Sequence, residues 1–256
     1  MLHPESELLP FTISPLPAGP WLVFAPHADD ETFGMGGTLL KAREEGLDTH
    51  VVVVTDGALG GDADDLVDTR RQEIQKAGDL LGLSSLTFWD VPDREVAITN
   101  EQVEAALADI ERLQARTVFF PAPLEIHPDH RATGHLVWQA IQMATDKGME
   151  IDTIAYEIGV QNPINMCIDI TAQEAAKAEV MDVYASQNSE NNYPELVRAL
   201  DKGRTFSLPP DVKFAEGFYR FSEQEKALVL PEVVNAIIAR YLPLENNSVC
   251  RARRTT

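Results

Sequence analysis

The chain has 256 residues, 44% of them apolar and 24% charged, a composition that describes a soluble globular protein and excludes disorder throughout. Its 41 acidic residues against 21 basic ones leave a formal net charge of -20, so phosphate backbones are repelled over most of the surface and nucleic acid is excluded as the main partner. The two cysteines, Cys167 in an apolar run and Cys250 in a polar tail, form neither a disulfide framework nor a thiolate metal site.

Residues 1–20 hold five prolines and read as an extended arm. Trp21 to Ala25 predict a buried strand. Gly37 to Glu45 predict a helix closed at Gly46. His50 to Thr55, rich in β-branched residues, predict a second buried strand. Residues 57–68 read as a loop, and Thr69 to Leu81 as a helix stopped by Gly82. Leu86 to Trp89 predict a third strand. A helix over 100–113 follows, with Asn100 as its N-cap. Thr117 to Phe120 predict the fourth strand, Arg131 to Lys147 the next helix, and Thr153 to Glu157 the fifth strand. Beyond about 160 the pattern mixes one strand with helices near 171–186, 194–202 and 231–241, and 188–192 reads as a loop.

Strands alternating with helices predict one α/β domain, a doubly wound, mostly parallel sheet with helices on both faces, Rossmann-like in plan. It occupies 21–245, between the arm at 1–20 and a polar tail at 246–256. No apolar run is long enough to span a bilayer, and no basic region followed by an apolar run opens the chain. A cytoplasmic protein with no membrane insertion is therefore expected. Association into a homo-oligomer stays open.

In open α/β sheets, ligands bind beyond the carboxyl ends of the strands. After the first strand comes Pro26-His27-Ala28-Asp29-Asp30-Glu31, after the second Asp56-Gly57, and after the third Asp90-Val91-Pro92-Asp93. After the fourth comes Glu125-Ile126-His127-Pro128-Asp129-His130. Three of the six histidines lie in the first and last of these segments. Catalytic zinc takes three imidazole or carboxylate ligands and keeps a position open. His27 and Asp30, three apart at a loop-to-helix turn, can face one point. His130 is the natural third ligand, and Asp29 is left free to act as a base.

Plainer roles compete. Asp29 and Asp30 can cap the following helix, and Asp129 can be a simple N-cap. Gly34-Met35-Gly36-Gly37 does not follow the strand as Gly-x-Gly-x-x-Gly, and two carboxylates there would repel a pyrophosphate, so close helix packing accounts for it better. His135 lies about 140° round a helix from His130 at 3.6 residues per turn, which suits a supporting or surface role. Arg70 is either an ion-pair partner or a substrate contact, and Asp56 either turn chemistry or part of a site.

The order and spacing of five segments carry a resemblance: His27-Ala28-Asp29-Asp30-Glu31, Gly36-Gly37-Thr38, Thr55-Asp56-Gly57, Arg70-x-x-Glu73 with Leu81-Gly82, and His127-Pro128-Asp129-His130-Arg131. Together they closely resemble the PIG-L/LmbE-like family of zinc-dependent N-acetylglucosamine deacetylases. Lys177, Tyr184 to Gln187 and Ala215 to Phe218 are similar to the family's later segments. Ala28 departs from the usual proline, without loss of a ligating group. The resemblance implies His27, Asp30 and His130 as ligands of one zinc ion per chain and Asp29 as general base. It also implies His127 as an electrostatic or acid partner and Asp129 as support for the histidine. Arg70 and Asp93 match positions near the substrate. The implied reaction is removal of an acetyl group from an N-acetylglucosamine-type sugar or conjugate, by attack of metal-bound water on the amide. A metal-dependent phosphoesterase and a non-catalytic sugar-binding protein on the same fold are the alternatives.

Overall fold

The computed structural model describes residues 2–61 and 65–243. Strands β1 (Trp21–Ala25), β2 (Thr49–Thr55), β3 (Ser85–Val91), β4 (Thr117–Pro121) and β5 (Asp152–Tyr156) alternate with helices α1 (Asp30–Glu44), α2 (Leu66–Leu81), α3 (Asn100–Leu113) and α4 (Pro128–Asp146). Then come β6 (Met166–Asp169), α5 (Glu174–Met181), α6 (Ala185–Asn188), α7 (Tyr193–Gly203), β7 (Ala215–Phe221), α8 (Glu223–Lys226) and α9 (Leu230–Ala239). They build a seven-stranded sheet in the order β3-β2-β1-β4-β5-β7-β6. β1 to β5 are parallel, and β7 runs antiparallel to both β5 and β6. The expected doubly wound α/β fold is present. The final third holds two strands where the sequence predicts one.

The sheet is covered on both faces because its strands are apolar on both. In β1, Trp21, Val23 and Ala25 join a core with α1, α2 and α5, while Leu22 and Phe24 join another with α3, α4 and α9. Alternation of successive side chains across a strand produces this division. Cys167 lies in a smaller cluster with Leu208, Val212 and Ala215 and is fully buried.

The start of α1 and the cap of α3 differ from the sequence reading, and α2 and α4 each begin three residues early, at Leu66 and Pro128. α1 begins at Asp30, seven residues before the predicted start, and kinks at Met35, whose φ of -149° and ψ of 23° are not helical. Helical backbone resumes near Gly37, and there the N–H groups of Gly37 and Thr38 donate to the Glu216 carboxylate at 2.8 and 2.7 Å. Lys177 Nζ in turn reaches Glu216 and Asp201, each at 2.7 Å. The Gly-rich stretch is a packing device, as expected: a Cβ at Gly34 would sit 2.4 Å from the Glu157 carbonyl oxygen, and one at Gly37 2.8 Å from Ile170. At α3 the cap is Thr99, whose hydroxyl accepts from Gln102 N–H, and not Asn100. Gly82 ends α2 with a left-handed φ of 71° as predicted.

β1 and β4 are neighbours, although β1 is followed in sequence by β2 and β4 by β5. The winding reverses between them. That reversal opens a crevice at the carboxyl ends of these two strands, where the first and fourth motif segments emerge. Residues 246–256, expected as a polar tail, lie outside the described residues.

Candidate metal and catalytic site

The segment after β1 turns sharply into α1. Asp29 takes φ 144° and ψ -29°, a strained left-handed conformation for a residue with a side chain. Its N–H donates to Glu31 Oε2 at 3.2 Å. The Glu31 carboxylate is wholly buried and is held by the Tyr184 hydroxyl at 2.5 Å and the Thr32 hydroxyl at 2.6 Å. Burial pushes the Glu31 pKa up, and these two hydroxyl donors oppose that shift.

His27, Asp30 and His130 converge. His27 Nδ1 lies 3.0 Å from Asp30 Oδ2, His130 Nε2 lies 3.3 Å from the same oxygen, and the two ring nitrogens are 3.3 Å apart. A four-coordinate zinc with bonds of ~2.0–2.1 Å spaces its ligands ~3.3 Å apart, so this triangle fits such an ion. His127 also joins His27 and His130 within ligating reach, and a wider group of His27, Asp93, His127 and Asp129 shares the second nitrogen of His27. The first triangle is the better cation site, since the outward nitrogens of its histidines meet carboxylates. His27 Nε2 faces Asp129 Oδ2 at 3.4 Å and Asp93 Oδ1 at 3.5 Å, and His130 Nδ1 faces Glu125 Oε2 at 3.6 Å. Carboxylates behind imidazoles fix ring orientation and tautomer at metal sites.

Without an ion, protons occupy this cluster. Burial disfavours charge on His130, but Asp30 and Glu125 outweigh it and raise its pKa to about 9. His27 is raised well above its ordinary value for the same reason, burial being outweighed by Asp129, Asp30 and Asp93. Asp29 rises to about 7, first because it is buried, with Arg70 opposing and Asp30 reinforcing the shift.

The candidate ligands His27, Asp30 and His130 and the candidates Asp29, Arg70, Asp93 and His127 lie around one cleft, with Asp129 against His27, though some do other work than expected. Arg70 is buried and commits its terminal nitrogens to the chain, with NH2 donating to Asp29 Oδ2 at 3.2 Å and the Ala28 carbonyl at 3.1 Å, and NH1 to the Gly57 carbonyl at 3.2 Å. Asp129 is not the N-cap of α4. His127 holds that position, its Nδ1 accepting from Asp129 N–H at 3.3 Å, while Asp129 is buried inside the first turn. The Asp129 carboxylate stands nearer His27 than His127, 3.4 against 3.9 Å. Asp56 performs turn chemistry and also holds Asp93, accepting from the N–H groups of Ala58 and Asp93 at 3.0 Å each. His135 takes no part in these contacts.

Glu125, Glu31 and Tyr184 carry roles that motif reading missed. Glu125 is buried and fixed by the N–H groups of Ile158 and Gly159 at 3.0 and 3.1 Å. The need of a ligating histidine for an acceptor on its second nitrogen could have marked it, since it stands in the same segment as His130. Nothing local could have paired Tyr184 with Glu31 across 153 positions.

His27, Asp29, Asp30, Arg70, Asp93, Glu125, His127 and His130 line this cleft of about 770 Å³. Residues 22–141, from β1 into α4 and so across both histidine segments, match the family described as PIG-L, GlcNAc-PI de-N-acetylase. That match spans just under half of the chain and holds both histidine segments. Over 131 residues it is 31% identical to the diacetylchitobiose deacetylase of Thermococcus kodakarensis, covering 48% of this chain and 49% of that protein. It thus spans about half the length of that relative. Over 224 residues it is 26% identical to a probable N-acetyl-alpha-D-glucosaminyl L-malate deacetylase 2 of Bacillus anthracis, covering 80% of this chain and 97% of that one. Among solved structures, the conserved protein TT1542 from Thermus thermophilus shares the fold with a TM-score of 0.69 at 28% identity, covering 78% of this chain and 93% of the other. The fold alone does not decide a reaction. GalB, the 4-carboxy-2-hydroxymuconate hydratase of Pseudomonas putida KT2440, superposes with a TM-score of 0.68 at 21% identity, covering 78% of this chain and 95% of its own.

Proposed function

We propose that this protein is a zinc-dependent N-deacetylase that hydrolyses the acetamide of an N-acetylglucosamine-type sugar or conjugate. The observation that carries the reading is the 3.0–3.3 Å triangle of His27, Asp30 and His130 beside an Asp29 whose pKa is raised to about 7. His27, Asp30 and His130 would hold one ion per chain. The ion supplies Lewis acidity toward the acetamide carbonyl and makes hydroxide accessible near neutral pH.

Asp29 takes the proton from the attacking water, and its raised pKa suits a base that works near neutrality. Arg70 and Glu31 fix that carboxylate and its strained peptide in place. His127 contributes as a neutral imidazole. Its pKa is lowered, first by burial and then by His27 and His130. With Nδ1 accepting from Asp129 N–H, the ring proton sits on Nε2, which donates a hydrogen bond to the tetrahedral oxyanion. A neutral imidazole keeps that proton, so the leaving amine receives its proton from Asp29. Asp93 lines the same cleft, its Oδ1 3.5 Å from His27 Nε2, and so borders the space that the sugar would occupy. Arg70 lines the same cleft and acts chiefly through Asp29.

The phosphoesterase alternative fits less well, since Asp29, Asp30, Asp93 and Glu125 line the cleft and repel a phosphate dianion. Among the described residues no helix is long and apolar enough to cross a membrane, and the proposed substrate is a small molecule met by a protein in the cytoplasm. Acetate release measured across N-acetylated sugar conjugates, with and without added zinc, tests the reading. Zinc-dependent release from at least one amino-sugar conjugate is expected. No release from any of them by fully loaded protein rejects it.

A further inference from the structure

The cleft is polar at its floor and apolar at its mouth. Leu59 from the loop after β2, Ile126 from the loop after β4, and Leu196 on α7 all line it, and they are 63%, 72% and 42% exposed. Tyr193, Leu196 and Val197 stand at i, i+3 and i+4 on α7 and so share one face of that helix. Tyr193 stacks on Phe33 of α1, ring centroids 5.5 Å apart and planes at 25°. Large aliphatic side chains from three separate elements are thus exposed around one opening, on a chain whose net charge is -20. Such patches on otherwise charged surfaces mark binding sites. A cleft of about 770 Å³ is also of a size that encloses a whole ligand of several rings or chains. Charge at the mouth is nearly balanced, with Arg94 and Glu190 both among the lining residues.

We propose that the substrate carries a neutral apolar group, alkyl or aryl, on the sugar, and that Leu59, Ile126 and the Tyr193–Val197 face of α7 receive it. The inference rests on the reading of the floor as an amino-sugar deacetylase site. Its occupant is part of the same substrate, because the apolar mouth opens directly onto the catalytic residues.

Methyl, propyl and hexyl glycosides of N-acetylglucosamine, with a carboxymethyl glycoside as the anionic comparison, test it in the zinc-loaded protein. Burial of each methylene multiplies binding about fourfold. The kcat/KM for acetate release is therefore expected to rise at least about tenfold from methyl to hexyl, mainly through KM. The Ile126→Ser, Leu196→Ser double variant should flatten the hexyl-to-methyl ratio toward one. A flat series in the natural protein, an unchanged ratio in the variant, or preference for the carboxymethyl glycoside overturns the proposal. Calorimetric binding of the same glycosides to zinc-loaded Asp29→Asn separates the two readings. If no glycoside is hydrolysed, the deacetylase reading fails, while tighter binding of hexyl than of methyl still upholds the apolar subsite and equal binding rejects it.

Discussion

His27 Nδ1 and His130 Nε2 lie 3.3 Å apart although 103 positions separate them in the chain. Adjacent parallel strands bring them together, β1 delivering one and β4 the other. Asp30 Oδ2 closes the triangle at 3.0 and 3.3 Å. His130→Ala removes one corner and leaves two donors. We expect metal analysis of that variant, after purification without chelators, to show well under one zinc per chain. Stoichiometric zinc would show that another set of residues holds the ion.

Glu125 stands behind His130 without belonging to the triangle. Glu125→Gln should leave the ligands in place and weaken zinc binding about 10–100-fold, the usual effect of losing a carboxylate behind a ligating histidine. Competition with a chromophoric chelator measures this. Unchanged affinity would assign Glu125 only to the Ile158–Gly159 loop that it also fixes.

Asp29→Asn keeps nearly the same shape but cannot accept a proton. It should retain zinc and lose about 10²–10⁴ of the deacetylation rate, the range a positioned base contributes. Full activity with full metal content would reject the assignment of the base.

Metal and protons compete for the same nitrogens. With no ion, the pKa of His130 is about 9 against an ordinary value near 6.5, and a ligating histidine must be neutral. Zinc added to the metal-free protein at pH 7.5 should therefore release protons, detectable with an indicator dye in weak buffer. The sign for stability follows from linkage. The paired imidazolium stabilises the metal-free fold fully below pH 6.5, and that contribution is lost as pH rises through about 9. The Tm of chelator-treated protein should fall across this window, while that of zinc-loaded protein should not follow it. Zinc uptake with no proton release would contradict the protonated cluster.

Lys177 is buried between Asp201 and Glu216, and Glu216 caps the resumed half of α1. Lys177→Met would leave two buried carboxylates without their cation, a loss of the order of 3–5 kcal/mol. Chemical denaturation should show a lower midpoint, with Lys177→Arg tolerated no better because the space is closed around Nζ. Undiminished stability of Lys177→Met would mean that the cluster is protonated and neutral in the folded protein.

Much of this molecule can be read from its sequence, for definite reasons. The first five strands are short apolar runs ended by polar turns, and burial on both sheet faces imposes that pattern locally. The candidate ligands stand beside strand ends in short, dense motifs, so their chemistry is visible within a few residues. Other features depend on contacts that no local pattern encodes. The start of α1 is obscured because its first turn holds Asp30, Glu31 and Gly34 instead of an amphipathic stripe, and Glu216, distant in sequence, supports the restart after Met35. Arg70 could be an ion-pair partner or a substrate contact until the fold set it 3.2 Å from Asp29. Tyr184 gained a role only where the chain's return laid its hydroxyl on Glu31. The sequence by itself determined which side chains can hold an ion and move a proton, since that capacity belongs to the residue type. Tertiary structure alone decided which nitrogen faces the ion and which carboxylate stands behind it, because those depend on ångström distances between strands that are neighbours in the sheet and far apart in the chain.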